Sequence, residues 1–198
     1  MGQITVTKAP IDGLYVIEPT VHGDSRGYFV ETYNQHDMHE AGLDMVFVQD
    51  NQSMSRKGVL RGLHFQKQFP QGKLVRVIQG SVFDVAVDLR ANSRTYGQWY
   101  GVELTEENGK QFYISEGFAH GFLVLSEVAK FCYKTTDFYH PGDEGGVAWN
   151  DPEIGIVVVG KQLSVLIRQF LRFLSGVWPS LGHFLSQLVY LFCFLSIS

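Results

Sequence analysis

Two imidazoles, a tyrosine and a lysine draw attention in this chain because each lies in apolar or glycine-rich surroundings. His64 sits in Val59-Leu60-Arg61-Gly62-Leu63-His64-Phe65-Gln66, three residues after a cation. A histidine has an ordinary pKa of about 6.5, so its neutral form can accept a proton at neutral pH. Strict strand alternation would turn Arg61 and His64 to opposite faces, whereas a bulge at Gly62 would bring both inward. A structural histidine remains the open alternative. Lys73 begins an apolar run, where it is ordinarily a surface cation. Tyr133 lies in Val128-Ala129-Lys130-Phe131-Cys132-Tyr133-Lys134, and alternation groups it with Ala129, Phe131 and Thr135. Its ring is expected inward, where a tyrosine is ordinarily core with a hydrogen-bonded hydroxyl.

His120 is flanked by Ala119 and Gly121 in Glu116-Gly117-Phe118-Ala119-His120-Gly121-Phe122, a segment able to bring side chain and backbone close to a cavity. Two histidines as far apart in sequence as His64 and His120 make a poor first shell, since catalytic metal sites usually take three protein ligands. No metal is expected. Asp24-Ser25-Arg26-Gly27-Tyr28-Phe29-Val30-Glu31 combines a turn, an arginine that can fork onto phosphate and aromatics that can stack on a base. An edge strand after a turn is its plain reading. Gln49-Asp50-Asn51-Gln52 is an amide cluster able to read a base or sugar, or to cap a loop.

Positioning such groups falls to short strands punctuated by turns, a pattern favouring an all-β sandwich or barrel. Gly80-Ser81 separates Leu74 to Gln79 from Val82 to Leu89, and Asn108-Gly109 separates Trp99 to Leu104 from Gln111 to Ile114. Both pairs predict tight hairpins between antiparallel strands. Phe83, Val85, Val87 and Leu89 form one apolar face; Asp84, Ala86 and Asp88 form the other, a cavity wall or, on pattern alone, a solvated face. One short helix is expected from Asn34 to Ala41, closed by Gly42.

The chain of 198 residues is 45% hydrophobic, with a formal net charge of −4 and a pI near 5.9. That balance offers no general attraction for nucleic acid. Cys132 and Cys193 lack metal-ligand spacing and suggest no disulfide framework, so a reducing cytoplasm fits. No dinucleotide or phosphate-loop glycine fingerprint occurs. Residues 1–156 hold all 20 acidic residues, while 157–198 hold none and only Lys161, Arg168 and Arg172 as strong bases. The tail reads as a membrane span, which Pro179, His183 and Gln187 weaken, as a buried or partner-binding segment, or as a frame-shifted ending joined to an intact domain. The third reading is favoured, with a domain at 1–156 and little membrane contact expected.

In order, GDSRGYFVETYN, FVQDNQS, VLRGLHFQ, QGKLVRVIQGSVFDVAVDLR, GQWYGVEL, EGFAHGF and GGVAWNDPEIGI resemble the dTDP-4-dehydrorhamnose 3,5-epimerases, cupin-fold enzymes of dTDP-rhamnose synthesis. The resemblance implies an antiparallel cupin jelly roll, a homodimer, a dTDP-linked 4-keto-6-deoxy sugar as substrate, and neither metal nor redox cofactor. Metal-binding cupins place a second histidine two residues after the first; here Gln66 stands there. By resemblance His64 is the base, Tyr133 the acid and Lys73 the cation that stabilises an enolate. Arg61, His120, Arg26, Glu31, Gln49, Asn51 and Glu144 match substrate-binding positions, and Asp84 is a candidate for the pocket wall. A related 3- or 5-epimerase, a ketoisomerase or a silent nucleotide-sugar-binding cupin are the alternatives.

After Ile156 the family continues with a Trp-Pro pair and a Leu-Ser-x-Lys-Asp segment whose aspartate pairs with the base. Gln162 to Ile167 offers neither the lysine nor the aspartate. Loss of an orienting carboxylate costs up to about 10⁴-fold elsewhere, so impaired catalysis is expected.

Overall fold

The computed structural model describes residues 3–157. Their elements are β1 (Ile4–Lys8), β2 (Leu14–Pro19), β3 (Val21–Asp24), β4 (Gly27–Val30), α1 (Gln35–Glu40), β5 (Gln49–Arg56), β6 (Leu60–Gln66), β7 (Lys73–Gln79), β8 (Ser81–Asp88), β9 (Trp99–Thr105), β10 (Gln111–Ile114), β11 (Phe118–Val124), β12 (Val128–Thr135) and β13 (Glu144–Gly146). Six strands form one sheet in the order β1-β2-β10-β7-β12-β5, and five form a second in the order β13-β6-β11-β8-β9. Strands β3 and β4 make a separate hairpin. All pairings are antiparallel. This is the all-β cupin-type jelly roll expected from the sequence.

Alternation explains the layers. Val16, Val75, Phe112 and Phe131 from the six-stranded sheet meet Ala86, Leu104, Phe122 and Val124 from the five-stranded one. Each large apolar side chain buried there contributes roughly 1.5–3 kcal/mol. Outside the five-stranded sheet, Leu63, Val85 and Val87 pack in another cluster, so β8 is covered on both faces. Helix α1 and the following loop cover part of the six-stranded sheet, with Met38, Leu43 and Met45 against Ile17, Leu74 and Tyr113. The helix is slightly shorter than expected. Asn34 caps it by accepting the His36 and Asp37 N–H groups at 2.9 and 3.4 Å, and Gly42 takes a left-handed φ of +78° after it.

Two expectations need correction. Gly80 and Asn108-Gly109 do not close hairpins. The first carries the chain from β7 in one sheet to β8 in the other, and the second carries it from β9 back to β10. Turn dipeptides supply positive φ, but they do not specify which sheet receives the next strand. The solvated reading of the Asp84–Asp88 face also fails: both aspartates are fully buried. Asp88 accepts bonds from Arg90, Ser93 and Thr95, while Asp84 receives His120. The tail from 158 onward, including the frame-shift, membrane and missing-carboxylate expectations, lies outside the described residues. Among the described residues no helix is long and apolar enough to cross a membrane.

Candidate active site

The inward face of the six-stranded sheet changes from apolar to polar toward one end. On β12, Ala129 and Phe131 are core, followed on the same face by Tyr133 and Thr135. Tyr133 is paired across β5 with Asn51 and across β7 with Val75; Thr135 is paired with Gln49 and Lys73. Register thus makes Lys73 and Tyr133 diagonal neighbours on one face, within reach for long side chains. Gln49 Nε2 donates to Asn51 Oδ1 at 2.8 Å, fixing the two amides relative to each other.

The facing sheet supplies the imidazoles. Strand β11 pairs His120 with His64 and Phe122 with Arg61, so Gly62 and Leu63 together oppose Gly121. This is the bulge expected at Gly62, whose φ is +110°. A Cβ on Gly62 would lie 2.6 Å from both Gly121 Cα and His120 O, so the two backbones approach too closely for a side chain. Leu63 and Phe65 join the outer cluster, which turns His64 to the inner face beside His120. Arg61 also turns inward: its Nε donates to Ser55 Oγ on the opposite sheet at 2.9 Å. His64 is exposed, whereas His120 is buried with its Nε2 3.0 Å from both Asp84 oxygens. His120 and Tyr133 flank Phe131, at ring separations of 6.2 and 6.1 Å, so that phenyl forms the floor between them.

Electrostatics follows from this packing. Desolvation brings the half-buried Lys73 down to about 8, against the upward pull of Asp84 and Glu144. Burial pushes the Tyr133 phenol above its usual value, with Arg61 acting in the opposite direction and Glu144 in the same one. At neutral pH the site therefore holds a protonated phenol and an ammonium that is readily neutralised. An exposed imidazole faces them from the other sheet. Such a set can abstract a proton, hold a developing oxyanion and return a proton from the opposite side.

The family model described as dTDP-4-dehydrorhamnose 3,5-epimerase matches residues 8–169. The chain belongs to that family. It is 58% identical over 156 residues to the dTDP-4-dehydrorhamnose 3,5-epimerase of Methanothermobacter thermautotrophicus, covering 79% of this chain and 84% of the relative. With the Salmonella typhimurium enzyme of the same name it shares 56% identity over 163 residues, 81% of this chain and 89% of the relative. A Legionella pneumophila dTDP-6-deoxy-D-glucose-3,5-epimerase, solved in complex with dTDP-4-keto-L-rhamnose, superposes with a TM-score of 0.75 at 52% identity. That alignment covers 77% of this chain and 82% of the Legionella chain.

Within this family member the fold brings together His64, Lys73, Asp84, Asn51, Gln49, Arg61, His120 and Tyr133 on the two inward faces. Glu144, on β13, pairs with Gln66 of β6 and acts electrostatically on both Lys73 and Tyr133. Arg26 and Glu31 stand apart from this set. Arg26 lies on the β3–β4 hairpin, its side chain 88% exposed and forked onto Asp24, and Glu31 accepts from Asn34 Nδ2 at 2.9 Å. Sequence reasoning missed Ser55 and Phe131 as parts of the site. Ser55 carried no signal because both faces of Gln49–Arg56 are largely polar; Phe131 read only as core. Among the described residues, the cluster of potential metal ligands is His36, Asp37 and Glu40 on α1, not the site histidines.

Proposed function

We propose that this chain epimerises C3 and C5 of dTDP-4-dehydro-6-deoxyglucose, giving dTDP-4-dehydrorhamnose. The observation that carries this reading is the delivery of His64 and Tyr133 from facing sheets with Lys73 beside the tyrosine. The 4-keto group acidifies the adjacent C–H bonds. His64 takes the proton from one such carbon, and the electron pair moves into an enolate whose negative charge on O4 is held by the Lys73 ammonium. Tyr133 then gives its phenolic proton to the opposite face of the same carbon. Proton exchange with solvent returns His64 to its neutral form and Tyr133 to its phenol before the second carbon reacts. Arg61 and His120 contact the sugar, Gln49, Asn51 and Glu144 contact the nucleotide diphosphate and sugar, and Asp84 holds His120 at the pocket wall.

The functional unit in this reading is 1–156, and the chain divides at Ile156. We assign it to the cytoplasm, where nucleotide sugars are made, and to a homodimer. Support for the dimer comes from the β3–β4 hairpin, where Val21, Tyr28 and Phe29 are 53, 73 and 67% exposed. Arg26 and Glu31 would act from this hairpin across the dimer.

Proton NMR of the substrate in deuterated water with the full-length chain tests the reaction. Deuterium entering C3 and C5 with wild type but not with His64→Ala is the expected result. Exchange at one carbon alone would identify a mono-epimerase. A folded chain that binds dTDP without any exchange would identify a silent binding module and would trace the defect to the altered tail.

A further inference from the structure

The side chain of Gln66 is 7% exposed at the end of β6, two residues beyond His64, and the reaction proposed above gives it no task. All three of its hydrogen bonds go to main chain. Nε2 donates to Phe69 O at 2.6 Å and to Phe138 O at 3.2 Å, and Oε1 accepts from His140 N at 2.8 Å. One amide therefore ties together two loops, the one leading from β6 to Lys73 and the one leading from β12 to β13.

The second loop passes the restraint onward. Tyr139 N, between the two residues Gln66 holds, donates to Gln49 Oε1 at 3.1 Å. Gln49 in turn donates to Asn51 Oδ1. A continuous polar chain thus runs from β6 in one sheet to β5 in the other, with a single loop as its middle link. We infer that Gln66 is a positioning residue which, through the 137–143 loop, orients the Gln49–Asn51 pair toward the nucleotide-sugar ligand. The inference rests on the site reading above. An apolar residue of similar volume would fill the space but take their partner from two carbonyls and one N–H, and this hold on the loop would be lost. Gln49 Oε1 would lose its contact with the Tyr139 N–H, and the amide that should meet the ligand would be held by Asn51 alone.

The test is calorimetric titration of full-length Gln66→Leu with dTDP, alongside wild type and Gln49→Met, with thermal melts of each. The relay predicts about a tenfold weaker Kd for Gln66→Leu. It also predicts that the Gln66→Leu/Gln49→Met double variant is no weaker than the worse single variant, because both changes break one chain. Additive losses would mean that Gln66 does not act through Gln49 and would overturn the inference. Tyr139→Pro removes the relaying N–H at an exposed position, while also fixing φ there and restricting Phe138, and reports on the same loop if Gln66→Leu folds poorly. A folded Tyr139→Pro with wild-type affinity would also overturn it. If wild type itself binds no dTDP, the site reading and the relay fall together; if wild type binds and Gln66→Leu binds equally well, the relay alone falls.

Discussion

At the residue scale, burial has given two ordinary side chains complementary proton affinities. Lys73, lowered to about 8 by desolvation, is charged at neutral pH and loses its charge as pH rises through that value. The oxyanion-stabilising role proposed for it should be lost with that charge, so kcat/KM, which follows the free enzyme, should fall on an alkaline limb centred near pH 8. Lys73→Arg, whose guanidinium stays charged, should move that limb upward even if its rate is lower. A steady-state pH profile of both proteins checks this. In the proposed reaction Tyr133→Phe removes the returning proton but leaves His64 as the base. Substrate should still exchange hydrogen for deuterium with retained configuration, while inversion falls by about 10²–10⁴-fold, a split that NMR reads directly. Alternation around Tyr133 was legible in the sequence because its neighbours Ala129, Phe131 and Thr135 are small or apolar and the opposite face carries Lys130 and Lys134. The partnership of Asp84 with His120 was not, since nothing in a single strand tells a buried acid from a solvated one.

At the element scale, the bulge in β6 is what gives Arg61 and His64 a common face. Gly62→Ala would force a side chain into backbone at a positive φ, so we expect destabilisation on the order of 3 kcal/mol. Chemical denaturation measures that loss. A smaller loss would mean that β6 and β11 can separate without consequence. The glycine in Arg-Gly-Leu-His made this bulge readable in advance. The two turns at Gly80 and Asn108-Gly109 were misread for a related reason: their local backbone chemistry is that of tight turns, but tertiary packing decided that each joins two sheets. Strand β8, apolar on one face and nearly sealed by the core on the other, could settle only between layers.

At the scale of the whole molecule, Asp88 knits the long β8–β9 loop to the barrel. Burial alone would raise its carboxyl, but hydrogen bonds from Arg90, Ser93 and Thr95 hold it well below its usual 3.8. A depressed folded-state value means that its stabilisation is fully present above the unfolded value near 4. It is lost as pH falls through the lower folded value. Asp88→Asn should therefore destabilise the fold by about 3 kcal/mol at pH 7, by leaving the guanidinium unpaired, and should flatten the acid limb of a melting-temperature profile. Because His64, the proposed base, hangs from one sheet and Tyr133, the proposed acid, from the other, the distance between them is set by the spacing of the two sheets, about 10 Å between packed sheets, and so by the hydrophobic filling. Phe112, Phe122 and Phe131 thus act as spacers as well as ballast. Trimming one should alter how evenly the two carbons are served before it abolishes turnover, so stereochemical fidelity becomes a gauge of how well the barrel is filled.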